Sequence, residues 1–187
     1  MSVRCFVAIE LSDELKREIA ARTEALRKSG ADAKWVRAGN LHLTLKFLGG
    51  VPEDKLPEIE AALTKAVSGH AGFTMKLKDV GVFPDRKRPR VVWVGIEDSD
   101  ALAAVQKGVE AAMADVGFKP EDRPFSPHLT IGRLKSPRRR EILLKELDAL
   151  SGVEFGEVRV AEVSLMKSTL KPAGAEYSKL LGAPLAG

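Results

Sequence analysis

The chain has 187 residues, of which 44% are hydrophobic, 30% charged and 5% aromatic, proportions that exclude a disordered, collagen-like or fibrous protein. Its single Cys5 excludes an internal disulfide, no Cys/His zinc spacing is present, and no run approaches the roughly 18 apolar residues of a membrane span. Lysine and arginine number 30 against 26 acidic residues, a net +4 that is compatible with a polyanionic partner and by itself identifies none. One domain, or two lobes sharing a core, is expected in a reducing cytoplasm, with no signal peptide and no membrane association.

Residues 3–9 form a β-branched-rich run that predicts a buried strand. Ser12 then caps a helix with Leu15, Ile19, Ala25 and Leu26 on its apolar stripe and Gly30 at its end. In residues 41–48, Leu41, Leu43, Leu45 and Phe47 alternate with His42, Thr44 and Lys46, the period of a strand with one apolar face. A helix opening at Pro52 and a strand through Phe73, Met75 and Leu77 complete the first half. The second half repeats the order. A strand at 91–96 leads to a helix capped by Ser99 and closed by Gly117, then to His128-Leu129-Thr130-Ile131, a leucine-rich helix through Leu143 and Leu147, and one strand over 160–167.

From Val3 to His42 is 39 residues, and from Val91 to His128 is 37. Shared order and spacing predict a duplicated α+β fold: two lobes with approximate two-fold symmetry, antiparallel-rich sheets facing a central cleft and helices outside. The chain is expected to be one two-lobed unit over 1–187, with sequence halves of about 1–82 and 83–187.

Two of the three histidines lie in these matched tetrapeptides. Strand side chains alternate, so His42 with Thr44, and His128 with Thr130, each project from one face while the intervening leucine anchors the core. A phosphate between the copies would meet two imidazoles, whose ordinary pKa of about 6.5 lets one act as base and the other as acid. The threonine hydroxyls can donate to its oxygens. No third ligand accompanies the histidines, so neither a metal nor another cofactor is expected. His70, between Gly69 and Ala71, reads as a solvated surface residue.

These tetrapeptides stand within Asn40-Leu41-His42-Leu43-Thr44-Leu45-Lys46-Phe47-Leu48-Gly49 and Pro127-His128-Leu129-Thr130-Ile131-Gly132-Arg133. Together with Arg4-Cys5-Phe6-Val7-Ala8, Pro89-Arg90-Val91-Val92-Trp93-Val94-Gly95, Ser168-Thr169-Leu170 and Gly174-Ala175-Glu176-Tyr177, they resemble the two-histidine phosphoesterase superfamily, and within it the 2'-5' RNA ligase family of RNA 2',3'-cyclic phosphodiesterases. The resemblance implies metal-free hydrolysis of an RNA 2',3'-cyclic phosphate end to a 2'-phosphate, with reversible 2'-5' joining of tRNA half-molecules. It makes RNA, tRNA fragments included, the partner of a monomeric enzyme. It also implies that His42, Thr44, His128 and Thr130 are the catalytic and phosphate-binding set. For a 2'-phosphate product O3' leaves, and His42 is expected to be the acid and His128 the base.

Arg133 projects away from His128 in an ideal strand, and Gly132 is expected to bend the strand and turn it toward the phosphate. Lys46 shares the face of His42 and is a candidate for the RNA backbone. Phe47 alternates with core leucines and is expected in the core, which leaves Phe125 as the stacking candidate. The basic runs Arg86-Lys87-Arg88-Pro89-Arg90 and Arg138-Arg139-Arg140 are solvated faces or phosphate contacts. Two other readings stay open: a non-catalytic RNA-end-binding module, and a phosphoesterase for 2'-5' oligonucleotides or cyclic nucleotide-sugar phosphates.

Overall fold

The computed structural model describes all of residues 1–187. Nine strands form two antiparallel sheets. The first contains β1 (Ser2–Glu10), β3 (His42–Pro52), β8 (Glu162–Lys171) and β9 (Gly174–Pro184), in the order β3-β1-β8-β9. The second contains β2 (Ala33–Trp35), β4 (Phe73–Phe83), β5 (Val91–Ile96), β6 (His128–Leu134) and β7 (Glu154–Val160), in the order β2-β6-β5-β4-β7. The helices are α1 (Asp13–Arg22), α2 (Glu24–Lys28), α3 (Leu56–Ser68), α4 (Asp100–Asp115) and α5 (Arg140–Ala149).

Duplication is visible in the sheet order. Setting β3-β1-β8-β9 against β6-β5-β4-β7 matches each histidine-bearing strand and the strand beside it. The third strands cross over: β4, from the first half, lies beside β5, whereas β8, from the second, lies beside β1. Each sheet therefore draws strands from both halves of the sequence, which ties the lobes together.

Helix starts follow their caps. Ser12 Oγ accepts from the Leu15 amide and Ser99 Oγ from the Leu102 amide, each at 3.2 Å. Three elements depart from the sequence reading. The first helix is broken at Thr23, whose hydroxyl donates to the Ile19 carbonyl at 2.7 Å and competes with continuation of the helix. Pro52 ends β3, a 3-10 turn follows, and α3 starts at Leu56 with Pro57 in its first turn. The single strand expected over 160–167 is two, β7 and β8, separated at Ala161, and β9 was unforeseen.

One face of each sheet meets the helices in a 39-residue apolar cluster. Val7, Ile9, Leu43 and Leu45 enter it from the first sheet, Val92, Val94, Leu129 and Ile131 from the second, and Ile19, Ile59, Leu63, Val109 and Leu143 from the helices. The opposite faces line the cleft, and β3 and β6 come into contact between the sheets. No helix is long and apolar enough to cross a membrane.

Candidate active site

The strands carrying the two motifs share one irregularity. Along β1, Val7 pairs with Lys46 and Ala8 with Thr44, so Leu45 is an extra residue; along β5, Val92 pairs with Gly132 and Trp93 with Thr130, so Ile131 is extra. Each bulge falls on the fourth residue of its tetrapeptide and reverses the in-and-out phase beyond it. The result is one burial pattern twice over. In both His42–Leu48 and His128–Leu134 the first and third residues are half-buried, the second, fourth, fifth and seventh buried, and the sixth exposed.

Each imidazole is held in the same way. His42 Nδ1 donates to the Asn40 carbonyl at 2.7 Å, and His128 Nδ1 donates to the Ser126 carbonyl at 2.7 Å. With Nδ1 protonated, Nε2 carries the lone pair of each neutral ring. Nε2 of His42 lies 2.9 Å from Thr44 Oγ1, a hydroxyl that can donate to it. Burial pushes the His42 imidazole below its ordinary value, and Lys16 adds to this, while the Asn40 carbonyl and Glu10 oppose it.

The 2'-5' RNA ligase superfamily matches residues 15–172. A protein of Methanothermobacter thermautotrophicus named RNA 2',3'-cyclic phosphodiesterase is 39% identical over 180 residues, covering 96% of this chain and 97% of its own length. One of the same name from Thermotoga maritima is 37% identical over 179 residues, covering 95% and 93%. The crystal structure of E. coli LigT complexed with 3'-AMP superposes with a TM-score of 0.79 at 27% identity, covering 100% of both chains. The chain belongs to the 2'-5' RNA ligase superfamily.

In this superfamily member the phase reversal corrects two expectations and explains a third. Lys46 does not face the cleft: it is buried, with Nζ 3.1 Å from Glu110 Oε2 and 2.8 Å from the Lys119 carbonyl, and is not free for an RNA backbone. Phe47 is not core but 66% exposed, on the cleft face beside Phe6. Arg133 takes the equivalent place in β6. It pairs with Val91, two residues from Trp93 on one face of β5, and Trp93 pairs with Thr130. Arg133 therefore shares the cleft face with His128 and Thr130, turned by the bulge at Ile131 and not by a bend at Gly132. The buried Gly132 instead accommodates the Trp35 ring, whose Cε3 would lie 2.5 Å from an added Cβ. Phe125, the expected stacking residue, is only half-buried and packs against the main core.

Further residues around the superfamily's two motifs escaped the sequence reading. Phe6 and Tyr177 pack on His42, with ring centroids 4.8 and 5.2 Å away, the latter edge-on. Phe83 lies edge-on to His128 at 4.9 Å, with Trp93 5.2 Å beyond it. Asn40 reaches the last hairpin through Nδ2, 2.8 Å from the Ala175 carbonyl, so the residue that orients His42 is itself anchored to β9. Glu10 pairs with His42 in register, is hydrogen-bonded by Ser164 at 2.9 Å and ion-paired with Lys179 at 2.8 Å. Burial works to raise its carboxyl pKa, but the bonds from Lys179 and Ser164 and the charge of Lys16 outweigh it and hold the group below the usual range. The nearest sequence signal for these partners was Tyr177, quoted only as part of a terminal motif.

The basic runs meet away from the histidines in sequence. Arg140 donates to the Lys87 carbonyl at 2.6 Å, and Arg86 lies 2.9 Å from Asp148. No three His, Cys, Asp or Glu side chains group together as metal ligands would.

Proposed function

We propose that this chain hydrolyses RNA ending in a 2',3'-cyclic phosphate to a 2'-phosphate, by paired-histidine acid-base catalysis without a metal ion. The observation that carries the reading is the repeated motif: two imidazoles with Nδ1 bound to the carbonyl two residues upstream, each beside a threonine on the same strand face. Relatives of that printed name at up to 39% identity support it.

In the reaction, a neutral imidazole takes a proton from water through Nε2 as the water oxygen bonds to phosphorus. The P–O3' bond breaks, and the protonated second imidazole gives its Nε2 proton to O3'. The 2'-phosphate leaves, and the imidazoles exchange protons with solvent to restore their starting states. Thr44 and Thr130 donate to the non-bridging oxygens, and Arg133 offsets their charge. Because burial favours neutral His42, we give it the base role and His128 the acid role, the reverse of the sequence expectation. An RNA 5'-hydroxyl in place of water makes the same transfers join two ends through a 2'-5' linkage.

RNA with this end is the partner, tRNA fragments among them. One chain supplies both histidines, so a monomer is complete, and residues 1–187 work as one two-lobed unit. The buried, unpaired Cys5 suits a reducing cytoplasm, where we place the activity.

A short RNA with a 2',3'-cyclic phosphate is incubated with the protein in EDTA, and the position of the product phosphate is determined. A 2'-phosphate is expected; a 3'-phosphate, or no turnover, would overturn the reading. Substituting sulfur for O3' identifies the acid, because a thiolate leaves without a proton. Activity lost in His128→Ala should return on that substrate, and activity lost in His42→Ala should not.

A further inference from the structure

The two sides of the cleft share a register but are filled differently. Opposite His42, at the paired position of β1, stands Glu10; opposite His128, at the paired position of β5, stands Gly95. Glu10 fills its place with a carboxylate bonded to Ser164 and Lys179. Gly95 leaves its place open, and beside it is a cavity of about 200 Å³ lined by Phe83, Trp93, Asp98, Ser126 and His128 among others.

Glycine is required there. A Cβ on Gly95 would stand 2.5 Å from the Lys78 carbonyl oxygen and 3.2 Å from the Trp93 ring, and one on Gly81, paired with Trp93 across β4, would overlap that ring. Two bare backbone positions thus let the indole lie against the sheet, half-buried and open to the cavity. The volume is below the roughly 300–1,000 Å³ of pockets that engulf a whole small molecule. It suits one planar ring system. At its rim Asp98 is exposed and belongs to none of the protein's ion pairs. A carboxylate near a phosphate site repels the phosphate, but it can accept hydrogen bonds from the edge of a base.

We propose that this cavity binds the base of the nucleoside that carries the cyclic phosphate, stacked on Trp93, and that Asp98 selects guanine. Guanine presents N1–H and N2–H side by side, a match for two carboxylate oxygens. Uracil presents one N–H between two carbonyls, and adenine and cytosine set a ring-nitrogen lone pair beside their amino group. The guanine edge is the only one of the four that offers the carboxylate two adjacent donors. Stacking on an aromatic face while the Watson–Crick edge is read is a general way to recognise an unpaired base.

The proposal rests on the reading above for the phosphate chemistry, so its test separates binding from turnover. Titration calorimetry compares guanosine and uridine 2'-monophosphates, and kcat/KM is compared for RNAs differing only in a terminal G or U cyclic phosphate. In the wild type, guanosine should be favoured about tenfold or more in both. Asp98→Asn should bring both ratios close to one, and Trp93→Leu should weaken both nucleotides about tenfold; Asp98→Asn alone decides if the tryptophan variant does not fold. Equal binding of the two nucleotides, or a preference that survives Asp98→Asn, would overturn the pocket while leaving hydrolysis intact. A guanosine preference that depends on Asp98, in a protein without turnover, would uphold the pocket and remove the hydrolase reading instead.

Discussion

His42 and His128 occupy the same place in two copies of one bulged strand, yet the walls beside them have diverged. Around His42 the space is closed by Phe6, Tyr177 and the Glu10–Lys179 pair; around His128 it is open at Gly95. Duplication accounts for two imidazoles with one tautomer and one strand geometry. A reaction that needs one base and one acid needs them to differ, and the unequal walls provide this, since burial on the first side disfavours the imidazolium. The same asymmetry leaves only one side with room for a base.

Removing either histidine breaks the pair most severely. His42→Ala and His128→Ala should each lower kcat/KM on a cyclic-phosphate RNA by about 10² to 10⁴, and the double variant should lose little more, because the groups act as a unit. Near-normal turnover in either single variant would end the symmetric reading of the cleft.

The next comparison is between Lys46 and Arg133, which the unbroken alternation of a strand assigns to opposite roles. Lys46→Met should leave RNA affinity intact and cost about 2 kcal/mol of stability in urea unfolding, less than the roughly 3–5 of a fully buried pair because Glu110 retains some solvent contact. Arg133→Met should leave the fold intact and weaken RNA binding, lowering the slope of log K against log salt by about 0.7 to 1. A stability loss in the second variant without an affinity loss would place Arg133 outside the cleft.

These two residues also show what could be read in advance. The helix caps at Ser12 and Ser99 and the apolar periodicity of the strands are local properties, and so is the pairing of His with Thr two residues on; the structure retains each of them. A bulge is not local. Leu45 and Ile131 have ordinary strand chemistry, and only the register against β1 and β5 reveals them as extra residues. One uncounted residue reverses every later side chain, which moved Lys46 into the interior and Phe47 out of it. The exchange of β4 and β8 between sheets was hidden for the same reason. Tyr177 reaches His42 only because β9 joins the sheet of β1, and no spacing within the chain reports that partnership.

Smaller in effect are the threonines. Thr44→Val and Thr130→Val should each reduce kcat by about 10² through loss of a donor to the phosphate oxygens. Thr44→Val should be the more damaging, since its hydroxyl also meets His42 Nε2 at 2.9 Å, whereas Nε2 of His128 has no such bond. Equal losses would mean that the Thr44–His42 contact has no part in turnover.

The finest test of the asymmetry is Glu10→Gln, which keeps the shape and removes the charge. Glu10 is held ionised by Lys179 and Ser164, and its charge raises the His42 pKa against the larger, opposing effect of burial. Without that charge the His42 pKa falls further. If His42 is the base, the acid limb of kcat/KM moves to lower pH; if it is the acid, the alkaline limb moves to lower pH instead, and the roles exchange. Stability has its own sign. A depressed folded pKa means that the unfolded chain binds more protons, so the contribution of His42 is fully present above its unfolded value of about 6.5 and is lost as pH falls through the folded one. Glu10→Gln should widen that window downward while removing the carboxylate's own contribution, which is present above an unfolded value of about 4.3 and is lost as pH falls through its lowered folded value. Urea midpoints followed across these pH ranges, beside the pH–rate profile, would show whether the closed wall tunes His42 or merely surrounds it.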